Sequence, residues 1–405
     1  MTAGWRSPAF PLAVGAAIAP TAAMLQSKAM APLAVVCLLL SVLADRRARG
    51  SWPWPSGAAL VAGLLLAGWG ALSALWAVEP PRALLAAAQL GGLVLLAGAA
   101  VRAVAGPATA PCDRLLLGHC LFWGVLFGLA ASTVDNLTGN ALRMAVRGLD
   151  ATRPGLEFGL KPAASVAALL VPLLWAAPLP RFARLLGLAA GALALAALTG
   201  ESARLAGLAG PAVLLLASLA PTPARRVLAL GFAALLLAAP LLAGQLIRPA
   251  IAARLPPSAV HRLLIWDFAL ARAAEHPWLG WGMEASRAIP GGQAPPSAAT
   301  LDHLALQRPD QRGYFAAPGV QSLPLHPHNG ALQLRLELGW PGLVLAAGFV
   351  ALLALAIPAG IAAAGLGAMT AAAVTFLLSF GAWQPWWMAT QALAVALAAG
   401  LDRRA

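Results

Sequence analysis

Apolar residues gather into runs at 8–25, 31–44, 57–77, 84–101, 115–133, 162–179, 182–199, 205–221, 227–246, 339–358, 360–380 and 386–400, separated by short segments rich in Pro, Arg and Gly. A run of about 20 apolar residues crosses a bilayer as a helix, because lipid offers the backbone no hydrogen-bond partner and a helix satisfies its own. The pattern predicts an all-α polytopic membrane protein of about 12 transmembrane helices, with 31–44 short for a full crossing. Arg6, the apolar stretch after it and the Ala-rich sequence near 22 imitate a secretory leader; with so many runs behind them they read as an uncleaved first helix. One interval breaks the rhythm. Residues 247–338 divide the chain into an N-terminal bundle of about nine spans at 1–246, a long loop, and C-terminal helices at 339–405. Loops beyond about 15 residues are functional or disordered, and the patterned helical stretches inside this one predict order.

Composition agrees with the pattern. Of 405 residues, 60% are apolar and 10% are charged, where a soluble domain carries about a quarter charged residues to solvate its surface. The net charge of +13 is almost all Arg, with Lys only at Lys28 and Lys161. In a membrane protein such a balance records topology and anionic ligands, so no nucleic-acid partner is expected. With alternating spans, Arg46, Arg47, Arg49, Arg102, Arg114, Arg181, Arg184, Arg225, Arg226, Arg403 and Arg404 all fall on one side, which the positive-inside rule makes cytoplasmic. The opposite side receives the 26–30 and 78–83 turns, the 134–161 loop, the turn at 200–204 and the 247–338 segment, itself rich in Arg. Cys37, Cys112 and Cys120 form no CxxC pair and read as small buried hydrophobes.

The polar residues of that opposite side hold the candidate chemistry. Leu325-His326-Pro327-His328-Asn329 runs into Gly330, Gln333, Arg335, Glu337, Gly339 and Gly342. Pro327 disfavours helix just before it, so a helix is expected to start near His328 or Asn329. The positive end of that helix depresses an imidazole pKa and favours the neutral form, as a general base requires. At helical spacing Arg335 returns to nearly the face of His328 two turns deeper, and Gln333 shares a face with Glu337. The plainer alternative makes His328 a helix cap and His326 a solvated loop residue. Two histidines flanking a proline make a poor metal pair, and no Cys or carboxylate cluster completes a shell. A second element, His261-Arg262 to Arg272, reads as an amphipathic helix on the membrane surface with Trp266 at the interface, closed by a turn at Gly280-Trp281-Gly282. Its arginines meet either lipid phosphates or a substrate. A third, Thr199-Gly200-Glu201-Ser202-Ala203-Arg204, places an Arg that either pairs with Glu201 or reaches an anion, and Arg143, Arg147, Arg153 and Lys161 add positive charge nearby.

These residues resemble the O-antigen ligase and polymerase superfamily of bacterial envelope glycan assembly. His328-Asn329, nine residues, then Gly339-x-x-Gly342 is similar to the family's His-Asn/Ser-x9-Gly-x-x-Gly signature. Arg262-(x)3-Trp266 followed by Pro277-Trp278-Leu279-Gly280-Trp281-Gly282 is similar to the stretch ahead of its large periplasmic loop. Ser73-Ala74-Leu75-Trp76-Ala77-Val78-Glu79-Pro80 is similar to its early Ser-x-x-Trp-Ser-x-x-Pro turn. The resemblance implies a C-type glycosyltransferase-like architecture in the bacterial inner membrane, its active site facing the periplasm, and a metal-independent transferase without cofactor. The implied donor is an undecaprenyl-diphosphate-linked glycan; the implied acceptor is lipid A core or a growing glycan. By carry-over His328 and Asn329 are catalytic, with His328 activating the acceptor hydroxyl, and Arg262 and Arg204 hold the donor pyrophosphate. His326 and Arg335 are further substrate-binding candidates. The family often has Ser and Arg adjacent, whereas Ala203 intervenes before Arg204 here.

A ligase and a polymerase share donor, site and motif. Transfer to a protein is expected to bring an extra domain, and none is evident. A transporter or flippase predicts ionisable residues near mid-span and paired broken helices, whereas here polar groups collect at one face. A diphosphate already leaves well, so fixed guanidinium groups and one base near neutrality suffice; a nucleophilic His328 is the lesser alternative. Chelation with EDTA is expected to leave glycan transfer unchanged, and loss of turnover that added divalent metal restores would overturn that expectation.

Overall fold

Proline and glycine punctuate the helices as the sequence leads one to expect. The computed structural model describes residues 4–152, 155–317 and 319–402; Arg153, Arg403 and Arg404 lie outside the described residues. Helices α1 Ala9–Leu25, α2 Met30–Arg49, α3 Ala58–Leu72, α4 Pro80–Val104 and α5 Pro111–Leu137 are followed by the short α6 Ala141–Arg147. Then come α7 Lys161–Leu170, continued as a 3-10 turn over Val171–Ala176, α8 Arg181–Ala197, α9 Glu201–Leu219 and α10 Pro221–Leu246. The long segment holds α11 Pro249–Ala252, α12 Pro257–Glu275, α13 Ala298–His303 and α14 Pro309–Ala316; α15 Gly330–Ala356, α16 Ala362–Leu378 and α17 Pro385–Gly400 close the chain. Proline sits in the first helical turn of α4, α5, α10, α12 and α17, where its missing N–H costs nothing.

Among the described residues there is no strand, and nine helical stretches are long and apolar enough to cross a membrane. Each expected span falls on a helix. Those outside the nine are α1, α8 and α17, of 17, 17 and 16 residues, shorter than the roughly 20 of a full crossing. Their packing is of the membrane kind, in which small residues let backbones approach. Gly124 and Gly128 of α5 lie so close to α1 that a Cβ would stand 2.5 Å from Ala17 Cα and 2.3 Å from Pro20 Cβ.

The arginine-bearing helix ends gather at one end of the bundle. Arg114 donates to the Asp402 carbonyl at 3.0 Å and Arg225 to the Ile357 carbonyl at 2.9 Å. At the other end, Ser73 after α3 meets Met283, Ser379 after α16 meets His328 before α15, and Gly200 before α9 packs on Lys161 at the start of α7. This is the alternation that the loop arginines predict.

The 247–338 segment is ordered over its described residues, with a core that includes Leu263, Leu264, Ile265, Trp266, Phe315 and Leu323, joined by Leu332 and Leu336 of α15. Here the structure corrects the reading of α12 as a surface helix: it packs against α10 and α15, and Trp266 is buried, its Nε1 donating to the Pro327 carbonyl at 2.8 Å. Within the segment, 294–322 is an excursion clipped at its neck, where Leu323 N–H donates to the Gly292 carbonyl at 2.7 Å and Ser322 N–H to that of Ala294 at 2.9 Å. The boundary expected at 338/339 falls on Gly339, a break inside α15 with φ 66° and ψ −167°.

Candidate active site

Three sequence stretches interlock at the break in α15. Gly339 turns the chain out of helical geometry, so carbonyls of the preceding turn lose their helical partners and must find others. The 277–282 turn supplies them: Trp281 N–H donates to the Leu336 carbonyl at 3.0 Å and Gly282 N–H to that of Glu337 at 2.8 Å. In return Trp340 N–H donates to the Pro277 carbonyl at 3.2 Å. The backbones touch, since a Cβ on Gly339 would stand 2.0 Å from the Trp278 oxygen and one on Gly280 would stand 2.4 Å from the Glu337 oxygen. The early turn closes the third side. Trp69 Nε1 donates to the Leu338 carbonyl at 2.9 Å, Trp76 Nε1 to that of Leu279 at 3.2 Å, and Met283 N–H to Ser73 Oγ at 2.9 Å.

Glu337, fully buried, pins this junction. Its carboxylate accepts from Glu284 N–H at 2.7 Å, Ser286 N–H at 3.2 Å, Ser286 Oγ at 2.5 Å, Gln333 Nε2 at 3.0 Å and Trp383 Nε1 at 2.6 Å. Gln333 Oε1 accepts from Ala382 N–H at 2.8 Å, drawing the 379–384 turn onto the same helix. The shared face of Gln333 and Glu337 was legible in their spacing; their role was not. An acid inside an apolar run is itself the signal, since it must find donors there.

This frame presents His328. Asn329 is the N-cap of α15, its Oδ1 accepting from Leu332 N–H at 3.0 Å, so the helix starts where Pro327 predicts. His328 takes a left-handed φ of 54°, an uncommon geometry for a residue with a Cβ, held by Trp266 on one flank and Asn329 on the other. Its Nδ1 lies 2.8 Å from the Ser379 carbonyl. A carbonyl only accepts, so Nδ1 carries the hydrogen and Nε2 of the neutral ring is a proton acceptor. Burial lowers the His328 pKa below the ordinary imidazole range; the Ser379 carbonyl opposes this, and the charges of Arg262, His261 and Lys161 add to the lowering. The neutral form expected from the helix start is thus favoured chiefly by burial.

His326 stands against it, ring centroids 4.3 Å apart. It is not a solvated loop residue: it is buried, with neither ring nitrogen hydrogen-bonded, and burial, His328 and Arg287 push its pKa down to about 3. Arg262, one turn before Trp266, is close enough for its charge to act on His328, and burial works against that charge. Arg204 is engaged by Glu201 at 3.0 Å and the Leu198 carbonyl at 3.0 Å. Gly200, where its helix begins, packs on Lys161, 3.4 Å from a Cβ to Lys161 Cγ. Arg335 does not turn toward His328. It is buried 4.6 Å over the Trp340 ring and 3.5 Å from the Ala273 carbonyl, tying α12 to α15. Arg143 is committed to Asp135, a fully buried pair with Nε 2.6 Å from Oδ2. The sequence reading passed over His261 and Arg287 as parts of the site, although His261 adjoins Arg262. Among the described residues no group of three or more His, Cys, Asp or Glu is placed to hold a metal ion.

Residues 162–347 match the family model described as O-Antigen ligase. The chain is 36% identical over 122 residues to a protein of Rickettsia conorii provisionally named a polysaccharide ligase, covering 27% of this chain and 26% of that protein. It is 31% identical over 167 residues to a similarly named protein of Rickettsia prowazekii, covering 36% of each, and 33% identical over 139 residues to one of Rickettsia typhi, covering 33% and 30%. The matched stretch thus spans between about a quarter and just over a third of these relatives' length. No solved structure matches the chain.

Gly339→Ala would press a methyl group onto the Trp278 carbonyl at a left-handed φ. It is expected to cost more than about 3 kcal/mol, seen as a lower unfolding midpoint in detergent. Gly348→Ala, on the same helix with open space around it, is expected to leave the midpoint in place; equal midpoints for both variants would show the junction is not needed.

Proposed function

We propose that this chain, similar over residues 162–347 to the O-antigen ligase family, transfers glycan from a lipid-diphosphate carrier to an acceptor hydroxyl at the membrane surface. The family match and the relatives' names support a ligase- or polymerase-type activity on polysaccharide. The finer reading is an undecaprenyl-diphosphate-linked donor, lipid A core as acceptor, and a site on the periplasmic side of the bacterial inner membrane. The observation that carries it is His328: its Nδ1 is anchored on Ser379 and its Nε2 is left to take a proton beside Arg262.

In the proposed reaction the acceptor hydroxyl gives its proton to His328 Nε2 as its oxygen bonds to the anomeric carbon. The bond from that carbon to the diphosphate oxygen breaks, and the electron pair leaves with the carrier. Arg262 meets the charge that builds there, in a site dry enough for the interaction to count. His326 contacts the substrate beside the base. Arg204, reached through Lys161, is a candidate second contact to the diphosphate. Asn329 acts through the backbone by capping α15, and Arg335 by fixing α12 against it; both are positioning residues. The described ion pairs lie at helix ends or in loops, such as Arg49–Asp45, Arg143–Asp135 and Arg204–Glu201. Glu337, beside the single break in α15, is fully buried and held by protein donors rather than lining a path. Both favour transfer over a transporter or flippase. Ligase and polymerase part in a deletion strain. Loss of a ligase leaves bare core and carrier-linked polymer; loss of a polymerase leaves single repeats on the core.

His328→Ala is expected to lower transfer at least about 100-fold, the scale of a lost general base, with the unfolding midpoint unchanged. In the native protein the base must be neutral, and its pKa lies below the ordinary imidazole value. Activity should therefore be flat from pH 7 upward and fall only on acidification below the usual imidazole range. Near-normal turnover of the variant removes the base assignment.

Arg262→Ala is expected to weaken donor use by about 100-fold or more, as for an oxyanion contact. Arg272→Ala, whose side chain already pairs with Glu275 at 2.8 Å, should change it less than about threefold, in line with an exposed pair. Equal mild effects in a transfer assay would make both arginines lipid anchors.

A further inference from the structure

We infer that the arginine-rich end of the bundle, opposite His328, carries a binding site for one anionic phospholipid of the bilayer. Two cavities adjoin there beneath the Trp52-Pro53-Trp54-Pro55 strap between α2 and α3. One, of about 390 Å³, is lined by Arg49, Trp52, Trp54, Arg102 and Gly106 among others. The second, of about 300 Å³, shares Trp52, Pro53 and Trp54 and is otherwise bounded by apolar residues, among them Val42, Leu95, Leu96 and Ala99. A charged chamber opening into an apolar one fits a ligand with a phosphate at one end and a hydrocarbon chain at the other.

The strap and α4 keep the space open. Pro55 rests on α4 at Gly98, where a Cβ would stand 2.8 Å from Pro55 Cβ, and this props the strap across the helix. Gly92, in the wall of the apolar chamber, has nothing within 4 Å of the position a Cβ would take. Trp52 and Trp54 are 43% and 76% exposed, the amphipathic rings that favour a headgroup level.

The charge is complementary to phosphate. Arg49 and Arg102 line the charged chamber, and no carboxylate is among its lining residues. Asp45 is fully buried and grips Arg49 through Nε and one terminal nitrogen, both bonds to Oδ2 being 2.9 and 2.6 Å. That fixes the guanidinium at the chamber wall and leaves its second terminal nitrogen unused by Asp45. Arg46 lies 4.0 Å over the Trp52 ring, which holds the tryptophan in place. Basic pockets between membrane helices take up lipid phosphates in this way. A soluble anion would use the first chamber and have no use for the second.

The test is native mass spectrometry of the full chain in detergent, titrated with palmitoyl-oleoyl phosphatidylglycerol and separately with the zwitterionic phosphatidylcholine of the same chains. One phosphatidylglycerol per chain should be retained with at least about tenfold preference. Arg102→Gln and Trp54→Ala should each lessen the preference, and neither uncovers the buried Asp45; Arg226→Gln, at the same end but away from the cavities, should not. Glycerol phosphate at the same concentration should not compete. Equal retention of the two lipids, unaltered preference in Arg102→Gln, an equal loss in Arg226→Gln, or displacement by glycerol phosphate would each overturn the site.

Discussion

The site depends on a helix that is broken and then repaired from outside. At Gly339 the α15 backbone leaves helical geometry, and carbonyls that would otherwise be bare in an apolar interior are met by N–H groups of the 277–282 turn. The repair requires contact of backbone on backbone, and glycine at 280 and 339 is what permits it. Everything on the two sides of the break inherits its position from this contact: the 277–287 loop, the first turns of α15, and the early turn at Ser73.

Glu337 extends the same logic into side chains. A carboxylate at that depth is tolerated because five donors converge on it, and those donors come from three separate segments. Arg287 follows the 284–286 turn that the carboxylate holds, and Ser379 precedes the turn that Gln333 and Trp383 hold. The proposed base and its neighbours are thus placed by the buried groups Glu337, Gln333 and Trp383.

Much of this was legible in the sequence, for reasons that differ by element. The spans were plain because bilayer crossing demands long apolar runs, and loop arginines gave their alternation. The start of α15 followed from Pro327 and Asn329, local chemistry that tertiary structure does not override. What failed needed distance information. Trp266 was read as an interfacial anchor because periodicity reports that α12 has an apolar face, without naming what covers it. Arg335 was assigned by angle around a straight helix, whereas its long side chain runs to Trp340 and α12. Arg143 looked like spare charge until Asp135, on the neighbouring helix, came into reach. Glu337 gave its partner Gln333 by spacing, but the Glu284, Ser286 and Trp383 donors are separated from it by about fifty residues of chain, and no pattern within one helix could reveal them.

The clip at the neck of 294–322 separates two kinds of constraint. Residues on the helix side of it are bound to the break in α15 and have little freedom to drift. The excursion beyond it begins and ends at the same place and is moored through Leu301, Leu304 and Phe315 in the core shared with α12 and α15, which leaves its outer surface as the part that can change. A chain built this way confines tolerance of sequence change to the outer face of the excursion, as on loops carried by a rigid scaffold.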